Sequence, residues 1–192
     1  SDYTLNADLL YTKADDSALI ISDSMVQTGT APDGRPVYTE TRAFNQDFVL
    51  TNVTGSDARS LQASINLSAF YDNGFNWSVG YAYTDAEDVN PMTSSVAFSN
   101  YVNVSVDDPN GPSRATSNYN IPHRFTFRVG YSAYWWGDNR TNFTLVGASR
   151  EGRPFSYTFA QDDGDAFGDL LDDRHLLYVP DGANDPLVTF LD

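Results

Sequence analysis

The 192 residues carry 26 acidic against 11 basic side chains, a formal net charge of −15, and no cysteine. Length predicts one domain rather than two. Scarce positive charge argues against a nucleic-acid partner, and the missing cysteines exclude a disulfide framework and any thiolate zinc site.

The aromatic content is high, 12 Tyr, 12 Phe and 3 Trp against 2 Met. No run approaches the roughly 20 apolar residues of a membrane-crossing helix. Ser1-Asp2-Tyr3 does not begin a signal peptide, so the numbering is expected to start in a mature or trimmed chain.

Alternation with period two dominates the sequence. Tyr3, Leu5, Ala7, Leu9 and Tyr11 alternate with Thr4, Asn6 and Asp8, predicting a strand over 3–12. Ser17-Ala18-Leu19-Ile20-Ile21 follows as an expected strand extension. Leu61, Ala63, Ile65, Leu67, Ala69 and Tyr71 oppose Gln62, Ser64, Asn66 and Ser68, giving a strand over 60–71. Asp72-Asn73-Gly74 then reads as a tight hairpin turn, because Asn and Gly tolerate positive φ. Phe75, Trp77, Val79, Tyr81 and Tyr83 oppose Asn76, Ser78, Gly80, Ala82 and Thr84 over 75–84. Phe125, Phe127, Val129, Tyr131 and Ala133 oppose Arg124, Thr126, Arg128, Gly130 and Ser132 over 123–135. Gly137-Asp138-Asn139 closes a second short turn into a weaker strand over 141–150 that holds Phe143 and Leu145.

Runs of about 9–11 residues suit a tilted strand crossing a bilayer, whereas strands of soluble domains are nearer 5–6. Tyr71, Phe75, Trp135 and Trp136 lie beside the short turns, where an interfacial aromatic girdle would sit. Short turns alternate with long connections at 13–59, 85–122 and beyond Arg150, all rich in Asp, Asn, Ser, Pro and Gly and expected to be solvated loops. That alternation is the pattern of outer-membrane barrels. The fold class expected is therefore all-β, an antiparallel transmembrane β-barrel segment of about five to seven strands with long extracellular loops. Five clear strands cannot close a barrel, so a fragment of a larger wall is expected. A soluble β-sandwich whose apolar face is core remains the other reading.

Phe48-Val49-Leu50-Thr51-Asn52, Asp108-Pro109-Asn110, Asn120-Ile121-Pro122-His123-Arg124-Phe125, Gly152-Arg153-Pro154-Phe155-Ser156-Tyr157-Thr158-Phe159 and Leu176-Leu177-Tyr178-Val179-Pro180 occur in this order. With Thr28-Gly29-Thr30 and Pro32-Asp33-Gly34-Arg35-Pro36-Val37-Tyr38, they make nearly the whole chain, 1–192, resemble the C-terminal part of the β-barrel of TonB-dependent outer-membrane receptors, most closely the Oar-like group. The resemblance implies a barrel of about 22 strands closed by a plug, placed in the outer membrane and importing a ligand with energy coupled through TonB. Neither a plug domain nor a TonB box falls within these residues, so lipid is the partner implied for this segment.

Asp162-Asp163-Gly164-Asp165-Ala166-Phe167-Gly168-Asp169, followed by Asp172-Asp173, is the best candidate for metal chemistry. Carboxylates spaced by glycine can wrap a hard cation that wants six to eight oxygens. Asp163, Asp165 and Asp169 are the first calcium ligands expected, although the EF-hand spacing and its glutamate are missing. The plain alternative is a solvated acidic loop. Arg124 and Arg128, on the polar face with His123 beside them at the loop edge, either line a path for an acidic solute or pair with carboxylates of neighbouring strands or the plug. Arg150 and Arg153 invite the same two readings. His123 and His175 lack metal-ligand spacing, no G-x-S-x-G elbow is present, and no catalytic role is expected. The alternative function is a soluble, acidic, calcium-stiffened β-sandwich, as an adhesin or a carbohydrate-binding module.

Overall fold

The five long strands pair in chain order without a crossover, each antiparallel to the next. The computed structural model describes residues 2–42, 47–53, 58–159, 167–171 and 173–188. Its strands are β1 (Asp2–Ala14), β2 (Ala18–Ser22), β3 (Met25–Thr30), β4 (Pro36–Glu40), β5 (Phe48–Asn52), β6 (Ala58–Phe70), β7 (Phe75–Asp88), β8 (Ala115–Thr116), β9 (His123–Trp136) and β10 (Asn139–Arg150). The one helix among them, α1, is Ala97–Val102. The chain divides into two contact-dense units. One holds Ser1–Ala14, Ala58–Glu87 and Thr116–Pro154, and the other Asp15–Asp57, Asp88–Ala115 and Phe155–Asp192.

The sheet unit orders its long strands β1-β6-β7-β9-β10. Antiparallel partners share a face, so the register turns the alternation of each strand into continuous rows. Leu5, Leu67, Val79, Phe127 and Gly147 form one row, and Ala7, Ile65, Tyr81, Phe125 and Ser149 the next. The opposite face carries the rows Asn6, Asn66, Gly80, Thr126, Ala148 and Asp8, Ser64, Ala82, Arg124, Arg150. The strands extend a few residues past the sequence expectation. In β7 the ladder runs on until Glu87 opposes Arg59, whose guanidinium Nε meets the carboxylate at 2.8 Å.

Both short turns form where expected. In the first, Tyr71 N–H bonds to the Phe75 carbonyl and Gly74 N–H to the Tyr71 carbonyl. Positive φ falls on Gly74 alone (85°), while Asn73 contributes through its side-chain oxygen, which accepts the Phe75 N–H at 3.1 Å. Gly74 also lies against β9: a Cβ there would be 2.2 Å from the Ser132 carbonyl oxygen. The second is a two-residue loop, Gly137-Asp138, with Gly137 at φ 61°.

The second unit is assembled from the three long connections, and it has a core. Expected as solvated loops, they bury Leu19, Val53 and Val89 in one apolar cluster and Ile20, Met25 and Tyr101 in another. β2 feeds both clusters because Leu19 and Ile20 point to opposite sides of one strand. It pairs with β5 rather than extending β1, and β3 pairs with β4 across a turn that places Gly34 at φ 88°. The Asn110 side chain extends the end of β2 by accepting the Ser22 N–H (2.9 Å) and donating to the Ser22 carbonyl (2.8 Å). Asp108 accepts the Tyr38 hydroxyl at 2.8 Å. The Asp108-Pro109-Asn110 motif therefore ties β2 to β4 through side chains.

Candidate functional site

Much of the apolar face of the sheet unit is exposed. Leu5 is 63% exposed, Leu9 75%, Ile65 48%, Phe125 56% and Leu145 63%. Fully burying such a side chain stabilises by about 1.5–3 kcal/mol, and soluble monomers seldom leave apolar patches beyond a few hundred Å² open. An apolar depression of about 660 Å³ runs along this face, lined by Leu5, Ile65, Leu67, Val79, Phe125 and Phe127 among others.

Aromatic side chains cluster at both ends of the face. At the turn end, Tyr3 and Tyr71 meet edge-on with their hydroxyls 3.1 Å apart, and Tyr71 packs on Phe75. Trp135 packs on Trp136 and Phe143 with ring centroids 5.9 and 5.1 Å away. At the loop end, Tyr83 and Tyr81 both pack on His123, and the Tyr81 hydroxyl lies 2.7 Å from His123 Nδ1. Between these ends the rows are mainly Leu, Ala, Ile, Val and Phe. From Phe75 to Tyr83 are eight steps along β7, about 27 Å at 3.4 Å per residue.

His123 therefore belongs to the aromatic face. It sits at the loop edge beside Arg124, as expected, and its odd position pairs it with Tyr83. With Tyr81, Phe125, Ser149, Arg150 and Glu151 it lines a second depression of about 630 Å³. Arg124 and Arg128 do stand in polar-face rows, and Arg124 directly opposes Arg150. Arg153 places its guanidinium 5.5 Å from the Tyr119 ring centroid. On the polar face, the row of Asn66, Gly80 and Thr126 is tight: a Cβ on Gly80 would meet Thr126 Oγ1 at 2.9 Å and Asn66 Nδ2 at 3.0 Å.

Of the three carboxylates expected to hold calcium, Asp163 and Asp165 lie outside the described residues. Asp169 is fully buried. Its Oδ1 is 3.0 Å from His175 Nε2 and accepts the Leu171 N–H at 3.2 Å, and its Oδ2 is 3.5 Å from Arg174 Nη1. Aromatic rings sandwich these groups. Phe167 stacks on His175 at 4.2 Å, Arg174 lies 4.4 Å over Tyr101, and Arg35 lies 4.4 Å over Phe167. Among the described residues, Arg174 Nε and His175 Nδ1 are buried without a hydrogen-bond partner. Among the described residues, no group of three or more His, Cys, Asp or Glu is arranged to hold a metal ion.

Sequence reasoning missed this cluster because its members come together only through folding. A buried histidine six residues from an aspartate has no periodic signature.

Electrostatics in this unit follow local partners. Burial pushes the Tyr38 phenol well up, and its hydrogen bond to Asp108 adds to the shift. Burial does the same for Tyr101, while nearby Arg174 opposes it. The Tyr178 phenol is pushed up to about 12, chiefly by its hydrogen bond to Asp185. Asp185 is correspondingly lowered by that hydroxyl and by the N–H groups of Asp181 and Leu187. Asp33 experiences a burial effect that would raise it, yet the hydrogen bonds and charge of Arg35 outweigh this and hold it low.

Comparison of the chain with protein-family models, with characterised proteins and with solved structures finds no match.

Proposed function

We propose that this chain forms barrel wall and extracellular loops of a TonB-dependent outer-membrane import receptor, with the apolar sheet face against lipid and the polar face toward a water-filled or plugged lumen. The observation that carries the reading is the largely exposed apolar face bounded by aromatic rows. At a strand tilt of 35–45°, the 27 Å between those rows projects to about 20 Å along the membrane normal, close to the roughly 25 Å apolar band of such barrels. Ligand grip and TonB coupling would reside chiefly in a plug domain outside these residues.

The chain-order meander supports the same reading, since up-and-down barrels pair neighbouring strands. A soluble sandwich needs a second sheet over the apolar face, and the exposures of Leu5, Leu9 and Leu145 speak against such a cover.

Reconstitution tests this directly. The chain, refolded with phospholipid vesicles, should float with the vesicles, and lipids brominated near the headgroup should quench Trp135 and Trp136. A monodisperse, folded chain in water without detergent, with tryptophans untouched by brominated lipid, would refute the proposal and favour the sandwich.

A further inference from the structure

Basic side chains are scarce, 11 against 26 acidic ones, and the fold gives several of them a carboxylate. Arg35 meets Asp33 at 2.6 Å, Arg42 meets Asp47 at 3.2 Å, Arg59 meets Glu87 at 2.8 Å and Arg174 meets Asp169 at 3.5 Å. Arg124, Arg128 and Arg150 differ. All three are exposed, and none forms an ion pair with a described residue.

The register concentrates them. Arg124 and Arg150 are direct partners on β9 and β10 at the loop end. Arg128 shares their face four residues further along β9, about 13 Å toward the turn end. Like charges set directly opposite each other on a ladder destabilise it, and no described carboxylate relieves them. The only acidic residue of their row, Asp8, stands on β1 at the far edge and accepts a hydrogen bond from Ser64 at 3.3 Å. Near the arginines the polar face offers hydroxyl donors instead: Ser78 opposes Arg128 across β7, and Thr126 lies between Arg124 and Arg128.

We propose that Arg124, Arg128 and Arg150 form a subsite for a small polyanionic solute carrying phosphate or carboxylate groups. Guanidinium forks grip such oxyanions in bidentate fashion, and an anion between two opposed arginines converts their repulsion into attraction. A cationic step at the rim followed by another deeper down also draws anions inward from an otherwise acidic surface. The subsite rests on the reading of this face as a lumen wall, and its test separates the two.

The probe is labelled inorganic pyrophosphate, measured by equilibrium dialysis on the 192-residue chain in vesicles and, separately, in detergent. Binding should saturate. Arg124→Gln and Arg150→Gln should each weaken it about tenfold, as loss of a charged hydrogen-bonding partner does, and the double variant should abolish it. Arg59→Gln, whose guanidinium is already tied to Glu87, and Arg140→Gln, at the turn end, should leave it unchanged, with circular dichroism showing the same strand content throughout. Equal weakening by Arg140→Gln would reduce the effect to net charge and overturn the subsite. Undiminished binding by the Arg124→Gln/Arg150→Gln double variant would also overturn it. If the chain fails to enter vesicles, the lipid-facing reading falls. The detergent measurement then still decides the arginines: the same selective losses sustain them, and absent binding refutes them.

Discussion

Ile65 and Ser64 are adjacent residues facing opposite ways, and a charge placed on each should give very different results. β6 has 13 residues with Ser64 at its centre, about 44 Å along the strand at 3.4 Å per residue. Tilted by 35–45°, it spans roughly 31–36 Å, about the thickness of a hydrocarbon core. Ile65 lies one residue from that centre and two from Leu67, which pairs with Val79 midway between the aromatic rows. It therefore sits within about 6 Å of the bilayer midplane. Arginine on a lipid face at that depth costs about 2–4 kcal/mol, a roughly thirty- to thousandfold loss in the folded-to-unfolded ratio. Ser64→Arg points into the polar row, toward Asp8, and should cost almost nothing. Urea titration of the refolded chain in vesicles gives both numbers. Without lipid, Ile65 is already 48% exposed, so Ile65→Arg should change stability by no more than about 0.5 kcal/mol. Equal costs at the two positions in vesicles, or a large cost at Ile65 in water alone, would refute the assigned facing.

Gly74→Ala should destabilise the sheet unit by more than Gly137→Ala in thermal unfolding. Both residues hold positive φ, which costs a residue with Cβ about 1–2 kcal/mol, but only at Gly74 would the Cβ meet a backbone oxygen, 2.2 Å away, whereas at Gly137 it meets nothing within 4 Å. Asp169→Ala strips a buried carboxylate from Arg174 and His175 and should cost the loop unit about 3–5 kcal/mol, visible as accelerated proteolysis within 155–188; unchanged cleavage would remove the cluster's structural role. Asp33 and Asp185 titrate lower in the folded chain than in the unfolded, so their contribution is complete above the ordinary aspartate value near about 3.9 and fades as pH falls through their lower folded values. Asp33→Asn or Asp185→Asn should therefore flatten the acid limb of a stability profile by lowering its neutral plateau, while leaving the strongly acidic end unchanged. Tyr178 has the opposite sign: its contribution is present below about 10 and is lost as pH rises toward about 12, a loss that Tyr178→Phe should erase.

The sheet was legible because its information is local. In 61–71 and 75–84 every second side chain is apolar, and Asp72-Asn73-Gly74 separates them with a turn whose glycine does take positive φ. A period-two pattern fixes which residues share a face before any partner strand is known, and hence Arg124 and Arg128 fell where expected. His123 likewise sits at the loop edge, the first residue of β9, with its ring packed on Tyr83. The loop unit was illegible because its contacts are long-range. Arg35 donates to the Leu176 carbonyl 141 residues away, and Asn110 pairs with Ser22 across 88. The apolar run Leu19-Ile20-Ile21 is too short to say which segments it meets, and of Phe48-Val49-Leu50 only Phe48 packs against the core, while Val49 and Leu50 are exposed. Asp169 lies against Arg174 and His175, partners that the acidic run around it does not announce.

An odd tally of strands imposes a parity rule on whatever continues the sheet. β1 and β10 run the same way, since four antiparallel pairings separate them. Rotational copies of this unit, joined β10 to β1 around an axis, would meet at parallel seams. Copies joined edge to like edge would meet antiparallel, but upside down, with their long connections emerging at opposite ends. A wholly antiparallel ring in which every long connection emerges on one side therefore needs an odd complement of further strands, and the first of them on each flank must run from the loop end toward the turns.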